Sequence, residues 1–111
     1  MNISDKVYIT LEAVPNVFQS WYRKELEETH VIFQQTDETP MDYEEDYYSA
    51  IEHIIQVDIF GGNEAEAYET KETVKEKMEA SGFDWMGTKY ECLEEINYYH
   101  IGHKFKYLEE L

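Results

Sequence analysis

Basic side chains are scarce in this sequence. Its 111 residues include 9 Lys+Arg against 25 Asp+Glu, which gives a formal net charge of -16 at pH 7. Binding to a nucleic-acid backbone depends on Lys and Arg that neutralise phosphates, and an anionic membrane surface makes the same demand. The charge therefore argues against both partners, whereas it favours solubility and makes self-assembly sensitive to salt.

Cysteine is almost absent as well, because Cys92 is the only one. A single thiol excludes an intrachain disulfide and a thiolate metal cluster, so a reducing compartment such as the cytoplasm is the simplest expectation. The N-terminal segment MNISDKVYITL has no basic region and no long apolar run. No other stretch reaches the ~18 apolar residues that a membrane span needs, so we expect neither a secretion signal nor an anchor.

Catalytic and cofactor-binding motifs are missing too, including Gly-rich phosphate loops, nucleophile elbows and HExxH. His100 and His103 are close in sequence, but on a strand they would lie on opposite faces and could not share a metal ion. Cys92 is expected to be a small buried hydrophobe. His53 fits a hydrogen-bonded, half-buried histidine better than an acid or base. The sequence predicts no catalytic residues, cofactor, metal or small-molecule substrate; a site around His53 is the enzymatic alternative.

Apolar residues, in contrast, are plentiful enough for a folded chain. The hydrophobic share is 42% and the aromatic share 15%, well above the composition of disordered segments. The length suits one core that needs neither disulfides nor a structural metal. We therefore expect a single domain over residues 1–111.

The most apolar stretch runs from Ala50 to Phe60 and reads AIEHIIQVDIF. Its aliphatic residues of one parity are Ile51, Ile55, Val57 and Ile59. A period of two predicts a strand with one buried face, and Gly61 ends it. Gln56 and Asp58 have the opposite parity, so we expect their face to be exposed to solvent or packed against a neighbouring subunit.

Periodicity and end signals predict the remaining elements. A helix is expected over residues 3–14, with Ser4 or Asp5 as its N-cap. A second helix is expected from Glu64 to Ser81, between an Asn63 N-cap and a left-handed Gly82. Residues 17–22 are expected to form a loop or short strand, and strand patterns occupy residues 30–36, 88–93 and 96–108. The order α-β-(β)-β-α-β-β predicts an α+β fold, with two helices packed on one mostly antiparallel sheet of about four to five strands.

A polar stretch from Asp37 to Ser49 separates two of these strands. It contains six acids, three tyrosines and a proline, which is too long and too polar for a tight hairpin. We interpret it as a long acidic loop or a long hairpin tip, and such segments are often functional in small domains. A solvated loop would need no partner, but tyrosines suit interfaces. The candidate subunit or partner interface therefore comprises Tyr43, Tyr47, Tyr48, Gln56 and Asp58.

The whole chain resembles the small minor tail proteins of long-tailed phages and prophages, in the tail-terminator or tail-completion group. The resemblance lies in the order of elements, in the strand-to-helix junction HIIQVDIFGGNEAEA, and in the closing hairpin YECLEEINYYHIGHKFKYL. Its most specific segments are Gln56 to Phe60, Met78 to Phe83, and Tyr99-His100 followed by Lys104-Phe105. These segments are patterns of fold and carry no catalytic motif.

This resemblance implies a structural, non-enzymatic subunit that forms a ring, commonly a hexamer, on the end of the tail tube. Such a ring stops tube polymerisation and provides the head-tail joining surface, so its partners would be further copies of the chain, tail-tube proteins and head-completion proteins. The implied location is the virion tail, after assembly in the host cytoplasm. The alternative is a small acidic cytoplasmic protein that binds and inhibits a basic partner by mimicking DNA charge.

Overall fold

The computed structural model describes residues 2–19, 28–44, 47–93 and 98–111. Along these ranges lie α1 (Ile3–Thr10), β1 (Val17–Gln19), β2 (His30–Glu44), β3 (Tyr47–Gly61), α2 (Glu64–Ala80), β4 (Asp84–Leu93) and β5 (Tyr98–Glu110). The strands form one sheet in the order β1-β2-β3-β5-β4, in which β1 is parallel to β2 and all other neighbours are antiparallel. The predicted α+β class and element order are confirmed.

Helix α1 differs from its prediction at both ends. Its N-cap is Asn2 rather than Ser4 or Asp5, because the Asn2 side chain accepts a hydrogen bond from the Asp5 backbone N–H at 2.8 Å. The helix ends at Thr10 and a turn follows, although Leu11 and Val14 remain buried. Leu11 and Val14 reach the core from a turn as well as they would from a helix, so their apolar spacing predicted a helix that is too long.

Helix α2 has the two ends that the sequence predicts. The Asn63 side chain accepts a hydrogen bond from the Glu66 backbone N–H at 3.1 Å. At the other end Gly82 has φ 91, and the Phe83 N–H donates to the Met78 carbonyl at 3.1 Å. This left-handed cap turns the chain directly into β4.

The two helices cover one face of the sheet, which we call the covered face. The core between them is built from fourteen buried apolar residues: Val7, Leu11, Val14, Val31, Phe33, Ile55, Val57, Ile59, Ala67, Val74, Met78, Phe83, Ile101 and Phe105. The predicted alternation in β3 is thereby confirmed for Ile55, Val57 and Ile59. No helix of the described ranges packs on the opposite face, which we call the open face.

The prediction of an acidic loop over residues 37–49 is wrong, and the hairpin alternative describes this region. Strands β2 and β3 stay paired from Asp37 opposite Ile54 to Glu44 opposite Tyr47. Polar side chains do not prevent this, since a strand that leaves the core has no face that must be apolar. We call residues 37–44 and 47–52 the arm. The molecule measures 55 × 25 × 22 Å, and a 15-residue strand spans ~50 Å of that length.

Several smaller expectations are also resolved. Strand β1 occupies residues 17–19 of the predicted 17–22, and residues 20–22 lie outside the described residues, as do residues 96–97 of the last predicted strand. The expectation that Cys92 is buried is wrong, since it is exposed. Its strand β4 lies at the edge of the sheet, where a neighbouring strand is present on one side only.

Candidate interaction surfaces

The tip of the arm carries the three tyrosines proposed as interface residues. Tyr43, Tyr47 and Tyr48 are 62%, 78% and 46% exposed. Tyr43 and Tyr48 are cross-strand partners, and their rings meet edge to face with centroids 6.2 Å apart. Among the arm residues whose side chains are described, only Ala50 is buried. The arm therefore has almost no core of its own and displays aromatic surface to the surroundings.

Gln56 and Asp58 lie on the open face, where they belong to a polar network. The Gln56 side-chain amide donates to Asp58 Oδ1 at 3.0 Å, and His100 Nε2 donates to the same oxygen at 2.7 Å. Gly102 lies beneath them; a Cβ there would stand 2.8 Å from Gln56 Nε2 and 3.0 Å from Asp58 Oδ1. Glycine thus leaves the space in which these side chains meet.

His100 is the electrostatic centre of this network. Its ring stacks on Phe60 with centroids 4.5 Å apart, and its Nδ1 lies 3.6 Å from a carboxylate oxygen of Glu91. The hydrogen bond to the Asp58 carboxylate raises the pKa of His100 above its ordinary value, against the opposing effect of partial burial. The network consequently favours an imidazolium held between two carboxylates.

The structure does not bring the two groups of predicted site residues together. Tyr48 and Gln56 are eight residues apart on β3, which corresponds to ~26 Å along an extended strand. The three tyrosine side chains are exposed to solvent. The Asp58 side chain is only 14% exposed and already has a partner in the protein, His100. The two groups can therefore serve one interface only if different parts of a partner contact each.

Three lysines on the open face were missed by the sequence reasoning. Lys89 pairs in register with Gly102, Lys104 with Gly87, and Lys106 with Asp84, so all three project from neighbouring strands on one side. Within the described residues none of them forms an ion pair. The shared parity of Lys104 and Lys106 was visible in the sequence, but the position of Lys89 beside them depends on the bulge between Trp85 and Gly87.

The covered face holds His103, which is fully buried. Its Nδ1 accepts from the Thr88 hydroxyl at 2.7 Å, and its Nε2 donates to the Lys71 carbonyl at 3.0 Å. A carbonyl can only accept, so Nε2 carries a proton. Burial lowers the pKa of His103, which favours the neutral ring. As predicted from their spacing, His100 and His103 lie on opposite faces, and no metal-binding group of three His, Cys, Asp or Glu occurs in the part of the chain that the structure describes.

His53 lines a cavity. The cavity has a volume of about 240 Å³ and is lined by Asn2, Ile3, Lys6, His53, Tyr107 and Glu109. His53 is 4% exposed; its Nδ1 accepts from the Gln35 amide at 2.8 Å and its Nε2 donates to Glu109 at 3.2 Å. Both ring nitrogens are engaged, so neither is free to take a proton from a bound molecule.

Comparisons with known proteins give no family for the chain. No protein-family model matches it, and a search of curated proteins finds no significant match. None of the described helices is long and apolar enough to cross a membrane. The arm and the two sheet faces are therefore the features that bear on the function of the chain.

Proposed function

We propose that this protein is a structural subunit of a phage or prophage tail, of the terminator type, which assembles as a ring at the end of the tail tube. In this role it ends tube polymerisation and provides the surface that joins the tail to the head. The observation that carries the proposal is the arm. It extends the molecule to 55 Å and presents Tyr43, Tyr47 and Tyr48 at its end.

An extended hairpin of this kind is a feature of assembly rather than of catalysis. Two strands without a hydrophobic face are only marginally stable in water, so a hairpin tip gains order by packing on another chain. Tyrosine provides a large contact area while its hydroxyl remains compatible with solvent before assembly. The arm and the sheet are also different surfaces of one subunit, as a closed ring of head-to-tail contacts requires.

Electron microscopy of tails that form without this protein tests the proposal. When its gene is deleted from the phage or prophage, we expect tails of variable, excessive length that fail to join filled heads. Restoring the gene on a plasmid should restore uniform tails. Deletion tails of normal, uniform length that still join heads would contradict the proposal.

The acidity of the chain supports a second candidate, a protein that inhibits a basic partner by mimicking DNA charge. No lysine or arginine occurs between Lys24 and Lys71, and this interval includes the whole arm. The cluster of lysines on the open face, however, interrupts the negative surface. Capture of one basic host protein by the purified chain, with the chain itself monomeric at high concentration and salt, would favour this candidate over a ring.

A further inference from the structure

The open face has a cationic cluster that the overall charge does not suggest. Lys89, Lys104 and Lys106 project from β4 and β5 and form no ion pair within the described residues. Between β4 and β5 the register partners of Lys89 and Lys104 are glycines, Gly102 and Gly87. On its other side Lys104 is opposite Gln56 of β3. The three lysines thus form a cluster in a chain where acids outnumber basic residues 25 to 9.

The arm has the opposite character. Its acids are Asp37, Glu38, Asp42, Glu44 and Glu52, and it contains no lysine or arginine. The last residues of β5 run beside its base, with Glu109 opposite Ile51 and Glu110 opposite Ala50. Attraction between charges of opposite sign steers association and fixes the register of an interface, so the acidic arm suits a basic surface.

At its base the arm lies close to Lys106, since Glu52 is opposite Leu108, but the tip of the arm cannot reach the lysines of its own chain. Lys106 lies opposite Ile54 in β3, and Tyr47 at the tip is seven residues further along the same strand. This separation is ~23 Å in an extended conformation, and the arm points away from the cluster because it continues the same sheet. Contact between the arm tip and the lysines must therefore join two molecules.

We propose that the arm of one copy docks on the open face of a second copy, with the arm carboxylates facing Lys89, Lys104 and Lys106. This inference rests on the proposed ring and specifies its subunit interface. Leu108 is 44% exposed next to the cluster and provides apolar surface for the tip tyrosines. Each subunit contributes its arm to one neighbour and its open face to the other, which is the arrangement that closes into a ring.

Charge reversal in purified, full-length protein tests this interface. One variant, Lys89→Glu with Lys104→Glu, reverses exposed residues of the open face; the other, Asp42→Lys with Glu44→Lys, reverses two acids near the tip of the arm. At an ionic strength of roughly 0.15 M, analytical ultracentrifugation should show that the wild type assembles and that each variant associates about tenfold or more weakly. An equimolar mixture of the variants should assemble again, with the two chains alternating.

A matched control separates the interface from overall charge. Lys75→Glu with Lys77→Glu makes the same change in net charge on α2, on the other side of the sheet, and should assemble like the wild type. Circular dichroism checks that every variant is folded. The mixture is decisive, because neither a folding defect nor general repulsion would be corrected by combining the two variants.

Three results would overturn the inference. Assembly of the open-face variant at wild-type strength would show that the ring uses another interface, and the proposed function would survive. A wild-type chain that stays monomeric up to roughly millimolar concentration would exclude arm docking, and the deletion tails would then decide the function separately. Binding of a DNA duplex that the open-face variant loses, with no change in assembly, would assign the lysines to phosphate groups instead.

Discussion

The two faces of the sheet shift the pKa of the same type of residue in opposite directions. His103 on the covered face is fully buried and hydrogen-bonded to a helix carbonyl. His100, three residues earlier on β5, keeps 30% of its side chain exposed and donates to the Asp58 carboxylate. Burial lowers the pKa of the first, and the carboxylate raises the pKa of the second.

This difference shows where recognition by charge can occur. Under the helices a polar group persists only as a neutral, fully hydrogen-bonded member of the core. The open face instead supports an imidazolium, carboxylates and three lysines close together. Recognition by charge is thus a property of the open face, whereas stability depends mainly on the covered face and partly on Ile32 and Ile54, which are buried on the open face.

The largest expected effect is the loss of a core ring. Phe105 is 0% exposed on the covered face, so Phe105→Ala should lower the free energy of unfolding by about 3–5 kcal/mol. Leu108, three residues later and 44% exposed on the open face, is the matched control; Leu108→Ala should cost less than about 1 kcal/mol. Urea denaturation measures both. Equal losses would show that the open face is also core.

A second prediction concerns the pH dependence of stability. The unfolded chain protonates His103 more readily than the folded chain does, so its contribution is present above about pH 6.5 and is lost as the pH falls below that value. His100 has the opposite sign, because its contribution is present below about pH 6.5 and is lost as the pH rises through its raised pKa.

Glutamine variants separate these contributions. His103→Gln should lower stability by about 1–3 kcal/mol at neutral pH and flatten the decline on the acid side. His100→Gln should keep the loss of stability that His103 causes as the pH falls. It should remove the stabilisation that His100 contributes at low pH. Unfolding free energies measured between about pH 5 and pH 8 provide the test. Identical pH profiles for the two variants would contradict the opposite pKa shifts of the two histidines.

The smallest effect is expected at Gly102. In Gly102→Ala the new Cβ meets the ends of the Gln56 and Asp58 side chains, which can move, and stands 3.9 Å from His100 Nε2, so stability should fall by less than about 1 kcal/mol. Displacing Asp58 should nevertheless bring the pKa of His100 back towards its ordinary value. A histidine titration by NMR measures this, with Asp58→Asn as the reference for a network without its carboxylate. An unchanged His100 pKa would show that the network does not depend on this glycine.

Much of the fold follows from local signals. The Asn63 and Gly82 ends of α2 were predicted because each cap requires a particular residue type at a fixed position. The core parity of β3 was predicted because one buried face imposes a period of two. The strands of the arm were not predicted. Residues 37–44 and 47–54 stay extended because they pair with each other, and such pairing leaves no apolar pattern in the sequence.

The candidate surfaces were predictable only in part. Gln56 and Asp58 were placed on the correct side of β3, but their partner His100 is 42 or more residues away along the chain, and no local pattern indicates that pairing. Replacing both by lysine would remove the hydrogen bonds to Asp58, so we expect a loss of stability.

The outer edge of β2 has a consequence for the kind of contact that assembly can use. Beyond Phe33, β2 has no partner on that side among the described strands, and exposed edges of this type recruit foreign strands and promote aggregation. Pro40 lacks a backbone N–H, and the charged Asp37 and Glu38 discourage a further strand. The hairpin is thus protected against indiscriminate backbone pairing, which leaves its side chains as the means by which it selects a neighbour.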